Sequence, residues 1–214
     1  MVAITSARQS KPAARKAGSS RMNVPARTER VAPAPFQFTV AEYYRLGECG
    51  FLNPDGRVEL INGQVVMMPP IDPPHAFGTH KTEKKLERLL GESFDVRCQH
   101  PLTLNETNEP MPDLAVVISR DYSSKHPGPA DTCLVIEVAD SSLKQDLTTK
   151  RDLYAQAAIK EYWVLDICNR QLHVFTKPRK GSYMESRIFA EVEEVTCSTV
   201  KALRLKVKEL LPTA

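Results

Sequence analysis

The chain has 214 residues, a net charge of +3 and five cysteines without C-x-x-C spacing. This length suits one domain with an extension, and a folded body of this size buries about 70% of the surface that its unfolded chain exposes. The odd number and wide spacing of the cysteines argue against a disulfide framework and a cysteine zinc site, so we expect reduced thiols in the cytoplasm. No apolar run approaches the roughly 20 residues of a membrane helix, which argues against membrane insertion and secretion.

The positive charge is concentrated at the N-terminus. Residues 1–35 contain seven basic residues and the single acid Glu29, a net charge of +6, so residues 36–214 carry −3 of the overall +3. The first segment is rich in Ala, Pro and Ser and has no apolar period, so we predict a disordered tail over 1–35 and one globular domain over 36–214. The tail is a polycationic arm that follows phosphates, a solubilising or misassigned start, or an organelle transit peptide.

The first predicted elements of the domain are a short helix and a β-hairpin. Thr39 can cap a helix that runs through Leu46, with Glu42 as its capping-box partner. Two β-type runs, R-V-E-L-I and Q-V-V-M-M, are separated by Asn62-Gly63, and both positions of this pair accept a positive φ. The sequence therefore predicts an N-terminal hairpin.

A surface helix and several strands follow. From His75 to Leu90 the apolar residues recur as in an amphipathic helix, which Gly91 ends. We predict strands over 94–98, 102–104, 114–119 and 133–138. The last two are nearly unbroken apolar runs, which is typical of central strands that are covered on both faces.

The second half of the domain predicts a strand, helix, strand unit. Ser141 and Ser142 can cap a helix that runs to about Ala158, after which E-Y-W-V-L-D and Q-L-H-V-F-T form strands joined by a Cys-Asn-Arg turn. The crossover before the first of these strands is expected to be right-handed. The later runs R-I-F-A, V-T-C and L-R-L-K-V are predicted to be edge strands or extended segments.

Two carboxylates lie in strands that otherwise consist of apolar residues. Asp113 precedes L-A-V-V-I, and Glu137 lies on the face opposite Ile136 and Val138. A buried carboxylate is costly unless it is paired, hydrogen-bonded or bound to a cation. If the strands are neighbours, the acids converge and can hold Mg²⁺, which takes one or two carboxylates and phosphate oxygens. The alternative is a turn cap at Asp113 and an arginine partner for Glu137.

Lys150 lies on the helix that follows the Glu137 strand. Asp146, Lys150 and Tyr154 share one helical face. Taken alone, Asp146 and Lys150 would form a solvated ion pair. A lysine on the inner face could instead reach the acids, where it would orient a water or stabilise the charge that develops on a phosphoryl group.

Three further polar residues have less specific patterns. Glu59 lies in a hairpin strand and is either an additional metal or water ligand or an exposed residue. His75 and His80 open the surface helix without a third partner at ligand spacing, which argues against zinc. A contact between His75 and phosphate remains compatible with this position.

These residues occur in motifs that resemble the Uma-type putative restriction endonuclease family, a branch of the PD-(D/E)XK nuclease superfamily. The motifs are E-L-I-N-G, a histidine at a helix start, P-D-L-A-V-V, L-V-I-E-V-A-D-S-S, D-L-T-T-K-R-D-L-Y and I-K-E-Y-W-V-L-D. The likeness runs from about Phe36 to the C-terminus. It implies an α/β (α+β) fold with a restriction-endonuclease-like mixed central β-sheet flanked by helices, and a metal-dependent phosphodiester hydrolase site.

Carried over position by position, the resemblance gives roles to four residues. Asp113 and Glu137 become the metal-binding acids, and Glu59 becomes the auxiliary acid. The superfamily places a lysine two residues after the second acid, where this chain has Ala139, and relatives of this branch resemble a variant in which Lys150 of the next helix takes that role. The implied catalytic residues are therefore Glu59, Asp113, Glu137 and Lys150, with Mg²⁺ as the cofactor and Mn²⁺ as a substitute.

The leading hypothesis is an Mg²⁺-dependent endonuclease that acts on nucleic acid, with DNA as the expected substrate. The displaced lysine, the additional acid Asp140 and the acidic body motivate a rival, a catalytically silent protein of the same fold that binds nucleic acid or a protein partner. A two-carboxylate glycosidase is a third alternative, although such enzymes do not require the lysine. A homodimer is also considered, because nucleases that cut both strands often work as symmetric pairs.

Overall fold

A computed structural model of the chain describes residues 34–53 and 56–212. The chain divides into a first unit, Met1–Ala34, and a second unit, Pro35–Ala214. The predicted basic tail over 1–35 lies outside the described residues apart from its last two positions. Within the described ranges, no helix is long and apolar enough to cross a membrane.

The second unit contains a central sheet, two smaller sheets and several helices. In chain order the elements are α1 (Val40–Glu48), β1 (Val58–Ile61), β2 (Gln64–Met67), α2 (Pro73–Leu89), β3 (Phe94–Cys98), β4 (Leu114–Ile118), β5 (Thr132–Ala139), α3 (Leu143–Gln145), a π-helical turn (Asp146–Lys150), α4 (Arg151–Gln156), β6 (Glu161–Asp166), β7 (Gln171–Arg179), β8 (Ser182–Ala190), β9 (Glu194–Thr196), β10 (Arg204–Lys206) and a final 3₁₀ turn (Val207–Glu209).

The central sheet is mixed. Its strand order is β3-β4-β5-β6-β7-β8; β5 and β6 are parallel, and the other neighbours are antiparallel. Strands β1 and β2 form a separate antiparallel hairpin, and β9 pairs with β10. The predicted mixed central sheet with flanking helices and an N-terminal hairpin is therefore confirmed.

The local signals at the start of the domain act as the sequence predicts. The hydroxyl of Thr39 accepts a hydrogen bond from the backbone N–H of Glu42, and the Glu42 carboxylate accepts one from the Thr39 backbone N–H. In the hairpin, Asn62 and Gly63 have φ values of 50° and 69°. A Cβ atom at Gly63 would lie 2.6 Å from the Cβ of Gln37, so both the backbone angle and the close packing favour glycine here.

Both faces of the sheet are covered, because the side chains of β5 alternate between two apolar clusters. Ile136 and Val138 pack in one cluster with Leu86 of α2 and the C-terminal segment. Val135 and Ala139 belong to the other cluster, which includes residues of α4. This double burial explains the continuous apolar character of the strand.

Two predicted elements differ from the structure. Residues 102–104 do not join the central sheet, because Leu102 and Leu104 donate their backbone N–H groups to the carbonyls of Pro110 and Asn108 in a local loop. The helix predicted to start at Ser142 is divided by the π-helical turn and ends at Gln156. The Ser142 hydroxyl does not cap this helix.

Glu161, at the start of β6, is fully buried and accepts three hydrogen bonds. Trp163 Nε1 donates to one carboxylate oxygen over 2.7 Å. The backbone N–H and the hydroxyl of Ser198 donate to the other over 2.7 and 2.5 Å. The carboxylate therefore joins the central sheet to the segment between β9 and β10.

We predict that Glu161→Ala destabilises the domain by about 3 kcal/mol, because three donors lose their acceptor and each buried unpaired group costs about 1–3 kcal/mol. Urea unfolding would measure the change. Glu185→Ala is the control, because Glu185 is exposed on β8 and its removal is expected to leave the unfolding midpoint unchanged. Equal midpoints for the two variants would contradict this role of Glu161.

Candidate functional site

Asp113 and Glu137 meet at one end of the central sheet. Strands β4 and β5 are antiparallel, and the register that pairs Leu114 with Ile136 brings Asp113 opposite Glu137. The backbone N–H of Asp113 donates to Glu137 Oε2 over 3.2 Å. The two acids that the sequence singled out therefore lie side by side, and no arginine partner of Glu137 occurs among the described residues.

The Asp113 carboxylate is held by three donors. His75 Nε2 lies 3.0 Å from Oδ1, and Gln99 Nε2 donates to the same oxygen over 3.2 Å. The backbone N–H of Val138 donates to Oδ2 over 2.9 Å. Burial raises the pKa of Asp113, but the hydrogen bond and charge of His75, the Val138 N–H and the charge of Lys150 together outweigh burial, so the pKa lies below its ordinary value.

The Glu137 carboxylate is buried between Lys150 and Tyr154. Lys150 Nζ donates to Oε1 over 3.2 Å, and the Tyr154 hydroxyl donates to the same oxygen over 2.8 Å. Burial raises the pKa of Glu137 to about 8; the charge of Lys150 opposes this rise and that of Asp113 adds to it. Glu137 is thus a carboxylate whose ionised state depends on nearby positive charge.

Glu59 belongs to the same cluster. Its side chain is buried, Oε2 lies 3.7 Å from Lys150 Nζ, and the backbone N–H of Met111 donates to that oxygen over 3.2 Å. The prediction left open whether Glu59 was an exposed strand residue. The structure shows that it is not exposed, because β1 turns this side chain toward the acids of the central sheet.

The π-helical turn positions Lys150. The Asp146 carbonyl accepts from the backbone N–H of Arg151, five residues on, and from the Tyr162 hydroxyl over 3.0 Å. Asp146 and Lys150 are only 3% and 7% exposed, and Asp146 accepts a hydrogen bond from Ser142 over 2.5 Å. The alternative of a solvated Asp146–Lys150 pair is therefore wrong.

Lys150 carries the positive charge that balances this cluster. Burial by itself would lower the pKa of its ammonium, but the charges of Glu137, Glu59 and Asp146 outweigh burial and raise the pKa above its ordinary value. Lys150 therefore stays protonated at neutral pH and acts as a hydrogen-bond donor and fixed charge.

These groups line one cleft of about 110 Å³ between the hairpin, the start of α2 and the π-helical turn. The hairpin and the proline-rich segment before α2 form its apolar wall, with Met68 and Ile71 among the lining residues. Its ionisable lining residues are the acids Glu59, Asp72, Asp113, Glu137 and Asp146 and the basic residues Arg57, His75 and Lys150.

The four carboxylate oxygens of Asp113 and Glu137 differ in how many further hydrogen bonds or metal contacts they can accept. Asp113 Oδ1 and Glu137 Oε1 each accept two side-chain hydrogen bonds, whereas Asp113 Oδ2 and Glu137 Oε2 each accept one, from the backbone. A carboxylate oxygen has two lone pairs, so one remains on each of the latter oxygens. No group of three His, Cys, Asp or Glu side chains arranged to hold a metal occurs in the described part of the chain. Two carboxylate oxygens with one free lone pair each are a donor set that Mg²⁺ accepts, since this ion commonly binds one or two carboxylates and keeps several waters.

Sequence reasoning brought together Glu59, Asp113, Glu137 and Lys150 but missed three of their partners. Tyr154 appeared in the K-x-x-x-Y motif and gave a usable signal. Gln99 gave none: its backbone has φ 51° at the end of β3, and only the fold brings its amide to Asp113. The contact of the His75 ring with Asp113 was also not predicted.

We predict that His75 titrates above its ordinary pKa of 6.5, because the hydrogen bond and charge of Asp113 favour the protonated ring more than burial disfavours it. Since the folded pKa is raised, the stabilisation is present below pH 6.5 and is lost as the pH rises through the folded pKa. NMR titration of the ring protons measures the midpoint, which Asp113→Asn should lower. Asp95→Asn, a change on β3, is the control. An unchanged midpoint in Asp113→Asn would contradict the pair.

The comparisons with known proteins show the family and the fold of the chain. The family model described as "Putative restriction endonuclease" (Uma2) matches residues 40–208. Among solved structures, a protein from Anabaena variabilis ATCC 29413 described as "a putative nuclease belonging to DUF820" is 17% identical, with a TM-score of 0.64 over 81% of this chain and 97% of that chain. No curated protein matches the chain. Because the family model spans most of the sequence, and the predicted motifs lie within it, the chain belongs to the Uma2 family.

Proposed function

We propose that the cleft hydrolyses phosphodiester bonds of DNA with the help of Mg²⁺ held by Asp113 and Glu137. The observation that carries the proposal is that Asp113 Oδ2 and Glu137 Oε2 each keep one free lone pair, while the backbone N–H of Asp113 donates to Glu137 Oε2 and keeps the two residues side by side. The family description, which names an endonuclease, supports this class of reaction. When bound, the cation would polarise a phosphate oxygen and lower the pKa of a coordinated water.

The residues around the acids keep these two oxygens in place. His75 and Gln99 contact Oδ1 of Asp113. Tyr154 and Lys150 donate to Oε1 of Glu137. These contacts fix the orientation of each carboxylate. The other oxygens, Asp113 Oδ2 and Glu137 Oε2, each keep one lone pair. Mutation of such partners of metal-binding side chains commonly lowers metal affinity or activity by about 10- to 100-fold.

We assign two roles to Lys150: it orients the attacking water, and it stabilises the negative charge that develops on the phosphate. Hydrolysis forms a bond from the water oxygen to phosphorus and breaks the bond to the leaving sugar oxygen; the attacking water loses one proton to solvent, and the leaving oxygen takes one from solvent. Because Lys150 is held protonated, it can orient the water through a hydrogen bond and stabilise negative charge, and it is a poor acceptor for the water's proton. Glu59 helps to keep the ammonium inside the cleft.

A second candidate is a silent member of the family that binds nucleic acid or a protein partner. One observation favours it: among the described residues, no three His, Cys, Asp or Glu side chains are arranged to hold a metal ion. In that case the cluster around Lys150 is an internal ion-pair network. The two candidates differ in metal binding and cleavage.

We predict that Asp113→Asn abolishes Mg²⁺ binding and lowers plasmid nicking at least a hundredfold, because the amide offers the cation one neutral oxygen instead of a carboxylate. Calorimetry and a nicking assay on the same samples measure both effects. Asp95→Asn is the matched control and is expected to retain metal binding and nicking. Folded wild type that neither binds Mg²⁺ nor nicks DNA or RNA would support the silent candidate.

For Lys150→Gln we predict a fall in nicking of about 10²- to 10³-fold, the usual effect of removing one donor to a developing oxyanion. Metal binding should weaken less than in Asp113→Asn, because both carboxylates remain and the cation itself supplies positive charge beside Glu137. Circular dichroism would establish that the variant is folded. A folded Lys150→Gln protein with wild-type nicking would contradict the role of the ammonium.

A further inference from the structure

The exposed side of α2 carries a basic groove outside the cleft. We define it by Lys81, Lys84, Lys85 and Arg88 of α2 and by Lys208 of the final 3₁₀ turn, which line an open groove of about 550 Å³. The four helical residues lie three, four and seven positions apart, so they project from one side of the helix. The opposite side of α2 packs on the central sheet.

The charges in the groove are only partly balanced. Glu209 pairs with Lys85 and Glu87 pairs with Lys84, and Glu83 lies on the same stretch of helix. Lys81 donates to two backbone carbonyls, and Glu191, which pairs with Arg170, interacts electrostatically with Lys81 and Lys208.

Two cations of the groove have no side-chain partner. The side chains of Arg88 and Lys208 form no ion pair or hydrogen bond among the described residues. The groove therefore keeps a positive excess, although residues 36–214 together carry a net charge of −3. A positive excess on an acidic domain marks a surface for a polyanion.

The groove and the cleft involve the same helix at different positions along its axis. His75, in the first turn of α2, contacts Asp113, and Arg88 lies in the last turn. At 1.5 Å per residue these two positions are about 20 Å apart along the helix axis. That distance corresponds to about six base pairs of duplex, at 3.4 Å per base pair along each strand.

We infer that the basic groove binds the phosphate backbone of a nucleic acid duplex within about six base pairs of the phosphate in the cleft. The inference rests on the proposed function, because the cleft sets where the duplex is cut. Lysine and arginine on a helix face neutralise phosphates without reading bases. The groove thus supplies affinity and orientation, which the acid-rich cleft cannot supply by itself.

The test variant is Lys84→Gln combined with Arg88→Gln and Lys208→Gln, because none of these side chains holds a backbone carbonyl of the domain. Its affinity for a labelled duplex of about 24 base pairs is measured without divalent metal at several NaCl concentrations. Losing three phosphate contacts should lower the slope of log Kd against log[NaCl] by two to three, at about 0.9 per contact. At low salt the Kd should rise at least tenfold.

A matched control removes the same charge at the other end of the sheet. Lys160→Gln, Arg179→Gln and Lys201→Gln are combined in one variant; all three residues are exposed. Lys160 precedes β6 and Arg179 ends β7, at the end opposite the acids. We expect this variant to bind the duplex within about twofold of wild type. The N-terminal tail is identical in both variants, so their difference reports the groove.

A short hairpin with a stem of about eight base pairs adds a test of distance. If the cleft occupies the middle of this stem, its ends do not reach Arg88. Because Arg88 loses its contact on the short stem, the groove variant should weaken binding less on the short stem than on the long duplex.

Either of two results would overturn the inference: a groove variant with the wild-type Kd and salt slope on the long duplex, or wild type that binds no duplex at low salt. Nicking by wild type with Mg²⁺ is measured separately. If wild type nicks DNA and the groove variant binds the long duplex as wild type does, only the proposed role of the groove is contradicted. If the groove variant binds more weakly but wild type does not nick DNA, only the proposed hydrolysis is contradicted.

Discussion

The burial of charge around Lys150 is the constraint on which the domain depends. Glu59 on the hairpin and Glu137 on β5 lie within 3.7 Å of its ammonium, which the π-helical turn carries to them. Removing each ion from water costs several kcal/mol. Deleting any one of these side chains would therefore leave an uncompensated buried charge on the others. The hairpin, the central sheet and the helical segment are therefore tied together by electrostatics as well as by apolar packing.

This arrangement is a costly way to stabilise a fold, because apolar residues of similar volume often serve as well or better in place of buried ion pairs. Its cost is easier to understand if the cluster holds a further cation and an anionic substrate. Burial already raises the pKa of Glu137 to about 8, so additional positive charge beside it would be stabilising. The basic groove on α2 adds the complementary element, a surface where a polyanion meets cations before it reaches the acids.

Much of this could be predicted from the sequence, because the signals were local. Asn62-Gly63 dictated the hairpin, the apolar runs identified β4 and β5, and the acids within them marked the site. The contact of Gln99 with Asp113 could not be predicted, because it depends on where β3 ends beside β4. Nor could the π-helical turn, since it depends on the Tyr162 hydroxyl of a strand that comes later in the chain.

The central claim is that Asp113 and Glu137 share one cation, and the most direct measurement is anomalous diffraction from crystals soaked in MnCl₂. The account predicts an anomalous peak within about 2.3 Å of both Asp113 Oδ2 and Glu137 Oε2, with water completing the coordination. His75 and Lys150 should keep their contacts with the other two oxygens. The absence of a peak between the two carboxylates, in crystals where manganese is found elsewhere, would contradict the claim.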